Sequence, residues 1–280
     1  MSMRKESDLP EWLRNTGFED LDDLDDQDAA SLILPDLDYD AQMIAIRSFL
    51  HRNLKADNQL EKEIKNLEEY ARSSSGFRNE QAVDEWVDRL HESVFQSAAN
   101  SMSAAGMLAP FLESLFSQAF QGIRKQFSET RRADHPRWEA ASDAQWNCRL
   151  VWREGMAKTN IVEGIVQLAE AVGLKPHLPA DLMQTLQALF QYRNKMFHCG
   201  FEWPLAERIA FEKRIHQARW PADWFAKATV GDQPWVFYLT DVFITHCLDT
   251  VDRVIKGLGA FANQELERKI SACRTEPRAH

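Results

Sequence analysis

LMQTLQALFQYRNKMFHCG, residues 182–200, reads as one amphipathic helix with a stop signal at its end. Counting 100° per residue from Leu182 brings Leu186, Leu189 and Phe197 into one narrow sector, the stripe of a core-facing helix. Pro179 suits the opening of that helix and Gly200 its close. Arg193 falls in the middle of the apolar sector. A guanidinium cannot give up its proton there, and burying it unpaired costs several kcal/mol or more. It calls for an anionic partner: an internal carboxylate, a neighbouring subunit or a phosphate. His198 sits just before the stop glycine, where the negative end of the helix dipole favours imidazolium.

Outward from this helix nearly every segment repeats the period of 3.6 residues. Tyr39–Ser73 carries Met43, Ile46, Phe49, Leu50, Leu54, Leu60, Ile64 and Leu67 with charges between them. Helices are predicted over Glu80–Ala98 and Ala104–Phe127, over Asp143–Val172 as one long element, and over Leu205–Ile215. A last helix is predicted from Pro234 to about Leu258. No stretch alternates convincingly with a period of two, and no repeat recurs at a fixed spacing. The expected fold is all-α, a helical bundle with additional N-terminal helices. Four regions are expected: an acidic leader (1–37), an N-terminal helical segment (38–100), the bundle (101–262) and a polar C-terminal tail (263–280).

Composition narrows the classes. The 280 residues are 44% hydrophobic and 27% charged, as in ordinary globular proteins. The four cysteines form no CxxC pair, so neither a zinc knuckle nor a disulfide framework is indicated, and a reducing cytoplasm is the expected compartment. The uncharged run 93–112 is filled with Ser, Gln and Asn and makes a poor membrane span; no membrane association is expected. Residues 15–46 hold ten acids and no Lys or Arg, so they carry the whole net charge of −10 and the remainder is neutral. The leader is either a solvated, flexible segment or a polyanionic flap over a basic cleft. Residues 124–158 carry eight Lys/Arg against five acids. Arg124, Lys125, Arg131 and Arg132 there, with Lys195, are the candidates for contact with a phosphate backbone. No Walker loop, dinucleotide fingerprint, HExxH motif or nucleophile elbow is present.

Arg193-Asn194 followed by His198, on an apolar helix that ends at the histidine, resembles the Arg-x(4–6)-His signature of the HEPN superfamily. The resemblance spans the motif and the surrounding helices, about residues 100–260. It implies an all-α bundle and a metal-independent endoribonuclease without a cofactor, working on RNA, with His198 as acid/base and Arg193 as the clamp on the phosphate. Asn194 would orient the phosphate or the imidazole. It further implies a homodimer with the cleft at its two-fold axis, and a toxin–antitoxin, stress or phage-defence setting with a cognate antitoxin or other regulator. The tyrosine two residues after the histidine, modified in some toxins of the family, is Gly200 here. The chemistry is coherent: cleavage without a metal needs a base for the 2′-hydroxyl, an acid for the 5′-oxygen and positive charge on the phosphorane.

Plainer readings stand beside this one. Arg193 could pair with a buried carboxylate while His198 caps the helix, and the bundle could be a non-catalytic module that binds nucleotides or a partner protein. His246, one turn before Asp249, reads as a boundary hydrogen bond, and His51 beside Arg52-Asn53 as an exposed face. The aromatics that follow the motif, from Phe201 to Phe243, read mostly as core.

Overall fold

Helices take up most of the chain, as the periodicity predicts, and two antiparallel hairpins interrupt them. The computed structural model describes residues 25–73 and 77–275. In chain order come α1 (Asp26–Ile33), α2 (Tyr39–Ser73), α3 (Phe77–Gln126) and the single turn α4 (Ser142–Gln145). The hairpin β1 (Leu150–Arg153) and β2 (Met156–Thr159) follows, then α5 (Ile161–Ala171), α6 (Leu182–Cys199) and α7 (Leu205–Gln217). A second hairpin, β3 (Phe225–Val230) and β4 (Gln233–Leu239), leads into α8 (Asp241–Thr275). Residues 25–38, 112–183 and 250–275 form one compact unit; residues 39–111 and 184–249 form another. No helix among the described residues is long and apolar enough to cross a membrane.

Of the leader expected over residues 1–37, as a solvated segment or a polyanionic flap, residues 1–24 lie outside the described residues, and residues 25–37 hold a helix in the first unit. The Asp25 carboxylate accepts from the backbone N–H groups of Gln27 and Asp28, both at 2.8 Å, and so caps α1. Asp26 and Asp28 occupy its first turn, where the helix dipole favours acids. The apolar face of α1 is buried at Ala29, Ala30, Leu32 and Ile33. Its backbone rests directly on glycines: a Cβ on Gly122 of α3 would lie 1.9 Å from the Ile33 carbonyl oxygen, and one on Gly259 of α8 would lie 1.6 Å from that of Asp26. The other end of the chain differs from expectation too. Residues 263–275, expected as a polar tail, continue α8 and bury Leu266 and Ile270.

The long helix expected over Asp143–Val172 is instead one helical turn, a hairpin and a shorter helix. Glu154 and Gly155 both have positive φ, the signature of the two-residue turn that joins twisted strands. Arg153 therefore pairs with Met156, and Leu150 with Thr159. Asn160 restarts the helix, its side-chain oxygen accepting from the Glu163 N–H. Arg137, read from sequence as part of a basic surface, is 1% exposed and holds this region together. Its guanidinium donates to the carbonyls of Ala144, Gln145, Asn147 and Leu150 and to Gln167 Oε1. Burial without a carboxylate pulls its pKa down to about 10.

Two further expectations change in the second unit. Pro234 lies on β4 opposite Thr229, beside an irregularity in the ladder, and does not open a helix. The last helix begins at Asp241, after Thr240 Oγ1 accepts from the Phe243 N–H. The predicted helices 80–98 and 104–127 are one element, α3. Ser101 sits within it, 1% exposed, donating its hydroxyl to the Ser97 carbonyl at 2.7 Å and accepting from the Leu239 N–H at 2.8 Å.

Replacing Gly259 by Ala should destabilise the protein by about 3 kcal/mol, because the new Cβ meets backbone that cannot swing aside. Arg137→Met should cost a similar ~3 kcal/mol by leaving four buried carbonyls short of a donor. Urea unfolding of the two variants beside the parent measures both.

Candidate functional site

The core-facing side of α6 is set by Thr185, Leu186, Ala188, Leu189, Tyr192 and Met196, all buried. Tyr192 anchors it. Its ring lies 5.9 Å from that of Trp203 and 6.2 Å from that of Phe211, and its hydroxyl donates to the Phe237 carbonyl at 3.1 Å. Desolvation pushes the pKa of this phenol up, so it remains a donor. The stripe thus passes one position to the side of the one read from sequence. Tyr192 and Met196 hold the core, while Phe197 is 50% exposed. A tyrosine buries a large ring provided its hydroxyl finds a partner, and here it does.

Arg193 consequently stands at the margin of the core, half-buried. Its Nε is buried without a hydrogen-bond partner. One terminal nitrogen donates to Asn194 Oδ1 at 3.0 Å, and the guanidinium carbon lies 5.2 Å from the centre of the Phe197 ring. No carboxylate of the described residues pairs with it. The internal ion pair weighed above is therefore absent among those residues. Lys195 on the same helix is already engaged with Glu207. His198 and Asn194 are exposed. The helix stays regular through Cys199 and stops at Gly200, whose φ is +71°. Five residues along an unbroken helix turn a side chain through about 140°, so Arg193 and His198 leave α6 on different sides.

A feature missed in the sequence adjoins the motif. Phe197 lies over Gly106 of α3, where a Cβ would come within 3.1 Å of the ring. Together with Phe49, Met102, Met107 and Phe201 it lines an open apolar trough of about 470 Å³. Phe49 and Phe197, which the periodicity places on core stripes, are both exposed. The available clue was redundancy: Tyr192 and Met196 already supply the buried positions of this turn.

The remaining candidates distribute unevenly. Arg124 and Lys125 end α3, and Arg131 and Arg132 follow in the connection. All four are exposed and belong to the first unit, whereas Arg193, Asn194, Lys195 and His198 belong to the second. Arg131 stacks over the Trp138 ring at 4.0 Å. The basic stretch 124–158 offers less charge than its composition suggests. Arg137 is interior, and Arg149, Arg153 and Lys158 pair with Glu113, Glu163 and Glu154. His246 lies 2.9 Å from Thr185 Oγ1, with its ring 5.0 Å from that of Trp224. Trp203, Phe211, Trp220, Trp224, Phe225, Phe237 and Phe243 are all buried. Among the described residues, no three His, Cys, Asp or Glu side chains are grouped so as to hold a metal ion. Comparison with known protein families, with curated proteins and with solved structures finds no match.

Arg193→Ala should change the unfolding free energy by no more than about 1 kcal/mol, since it breaks no ion pair and releases an orphaned Nε from the core margin. Thermal and urea unfolding check this; a loss of 3 kcal/mol or more would mark the arginine as a structural ion-pair member.

Proposed function

We propose that this protein is a metal-independent endoribonuclease of the HEPN type. The observation that carries the reading is the guanidinium of Arg193, held beside the core with a buried, unpartnered Nε and no carboxylate among the described residues, five positions before an exposed histidine on the same helix. A cation in that position favours an anion that arrives from outside. A phosphodiester matches the planar fork of an arginine with two oxygens.

In the reaction, neutral His198 takes the proton of a ribose 2′-hydroxyl as its oxygen attacks the adjacent phosphorus. An imidazolium gives a proton to the departing 5′-oxygen, and the bond to that oxygen breaks. The products carry a 2′,3′-cyclic phosphate and a free 5′-hydroxyl. Arg193 stabilises the charge on the phosphorane, where a preorganised cation acts on the transition state. Asn194, which accepts from Arg193, limits the rotation of the guanidinium.

The divergence of Arg193 and His198 along a regular helix argues for a homodimer. Two copies of α6 facing each other across a two-fold axis supply one histidine as base and the other as acid. The apolar trough beside Phe197 is the kind of surface that such an assembly covers. A toxin or defence role with a cognate antitoxin or regulator, in the cytoplasm, completes the proposal.

Purified protein incubated with mixed cellular RNA in excess EDTA should leave 2′,3′-cyclic phosphate ends. His198→Ala and Arg193→Ala should each lower the rate by at least about a hundredfold with folding intact. Absence of cleavage by a folded wild-type dimer would favour a nucleotide-binding or partner-binding module.

A further inference from the structure

On the other side of α2 from Phe49, the second unit contains a cleft of about 490 Å³ that the motif does not use. Its apolar wall comes from Leu50 and Leu54 of α2 and from Ile244 and Leu248 of α8. At one end it meets a second cavity of about 460 Å³, and Asp57, Asn100 and Asp241 line both. The junction between the cavities is therefore acidic, and one of its carboxylates is held in place. The Asn100 amide nitrogen donates to both oxygens of Asp57 at 2.6 Å. Neither aspartate has an ion-pair partner among the described residues.

Two carboxylates on a partly desolvated wall repel each other. Burial raises the Asp57 pKa, and burial together with the Asp57 charge raises that of Asp241. The other titratable groups facing the cleft are Arg47 and His51 on α2, and the adjoining cavity adds Tyr238 and Glu61, the latter paired with Lys65. Arg47 donates to the Leu248 carbonyl at the far limit of hydrogen bonding, 3.5 Å. Two carboxylates outnumber one guanidinium, so the cleft suits one positive charge and disfavours an anion. The leucines and isoleucine suit a hydrocarbon body, the usual division of labour in a small-molecule site.

We infer that this cleft binds an organic monocation, a primary amine whose ammonium lies between Asp57 and Asp241 and whose apolar body lies along Leu50, Leu54, Ile244 and Leu248. An ammonium supplies three donors, for the two Asp241 oxygens and for a remaining lone pair on the Asp57 carboxylate, whose oxygens each accept from Asn100. The inference does not depend on ribonuclease activity.

Calorimetric titration of the full chain with 2-phenylethylamine tests it, with 2-phenylethanol as the neutral molecule of the same shape, at 0.15 M salt. The amine should saturate one site, and the alcohol should bind at least tenfold more weakly. Asp241→Asn and Asp57→Asn should each weaken the amine at least tenfold with the fold retained in the melting profile. Asp241 is exposed, so its variant keeps the test available if the exchange at Asp57 disturbs Asn100. Equal binding of amine and alcohol, absence of saturation, or full affinity in folded Asp241→Asn would overturn the assignment.

Discussion

Two buried hydroxyls fix the motif helix in place. Tyr192 donates to the Phe237 carbonyl, and Ser101 accepts from the Leu239 N–H, so β4 is tied to α6 at one point and to α3 at another. The two carry opposite constraints: a phenol that must give a proton and a serine oxygen that must take one. A buried polar group left unmade costs about 1–3 kcal/mol, so each hydroxyl admits only a narrow set of helix rotations. With Tyr192 turned to the core, the next residue cannot be. Arg193 is carried to the margin by about 100°, close enough to bury its Nε and far enough that a terminal nitrogen reaches the exposed Asn194. The availability of the guanidinium follows from the burial of its neighbour.

The helical class was legible because long stripes survive local exceptions. Tyr39–Ser73 keeps its period over 35 residues, and both its ends agree with the helix observed. The same long stripes mask the first hairpin. Leu150 and Trp146 fit a helical period with Ile161 only if Glu154-Gly155 is passed over, and those are the two residues whose backbone turns left-handed. Pro234 mimicked a helix start because proline favours the first helical turn and also an irregular strand position; only its place after Gly231-Asp232 separates the two. In the acidic leader, charge density masked Ala29, Ala30, Leu32 and Ile33, a short apolar face that suffices because glycines bring the neighbouring backbones to it.

For the site, sequence located the helix, its stop and the cation, and misjudged rotation by one position. That error matters because helix angle is cumulative: a stripe assigned from Leu182 and Leu186 can be continued through Phe197 or through Tyr192 and Met196. Side-chain chemistry breaks the tie. Tyr192 has a buried acceptor to satisfy it, and Phe197 has in Gly106 a place to lie against α3 without entering the core. The Asp57–Asn100 pair was beyond reach, since its members are 43 residues apart and meet only once α2 and α3 are placed side by side.

Electrostatics constrains how RNA could be held on the ribonuclease reading. The chain carries −10, and many of its cations are committed: Lys195 to Glu207, Arg149 to Glu113, Arg153 to Glu163, with Arg137 to interior carbonyls. Arg124, Lys125, Arg131 and Arg132 stay exposed but belong to the first unit and not to that of the motif, and each phosphate neutralised contributes roughly one unit to the salt dependence of binding. On that reading, discrimination comes from contacts at the cleaved linkage, where a guanidinium at the edge of a low-dielectric core acts more strongly than a lysine in water. Weak general attraction combined with a strong local clamp limits non-productive binding to nucleic acid at large, while leaving the chemistry at the motif intact.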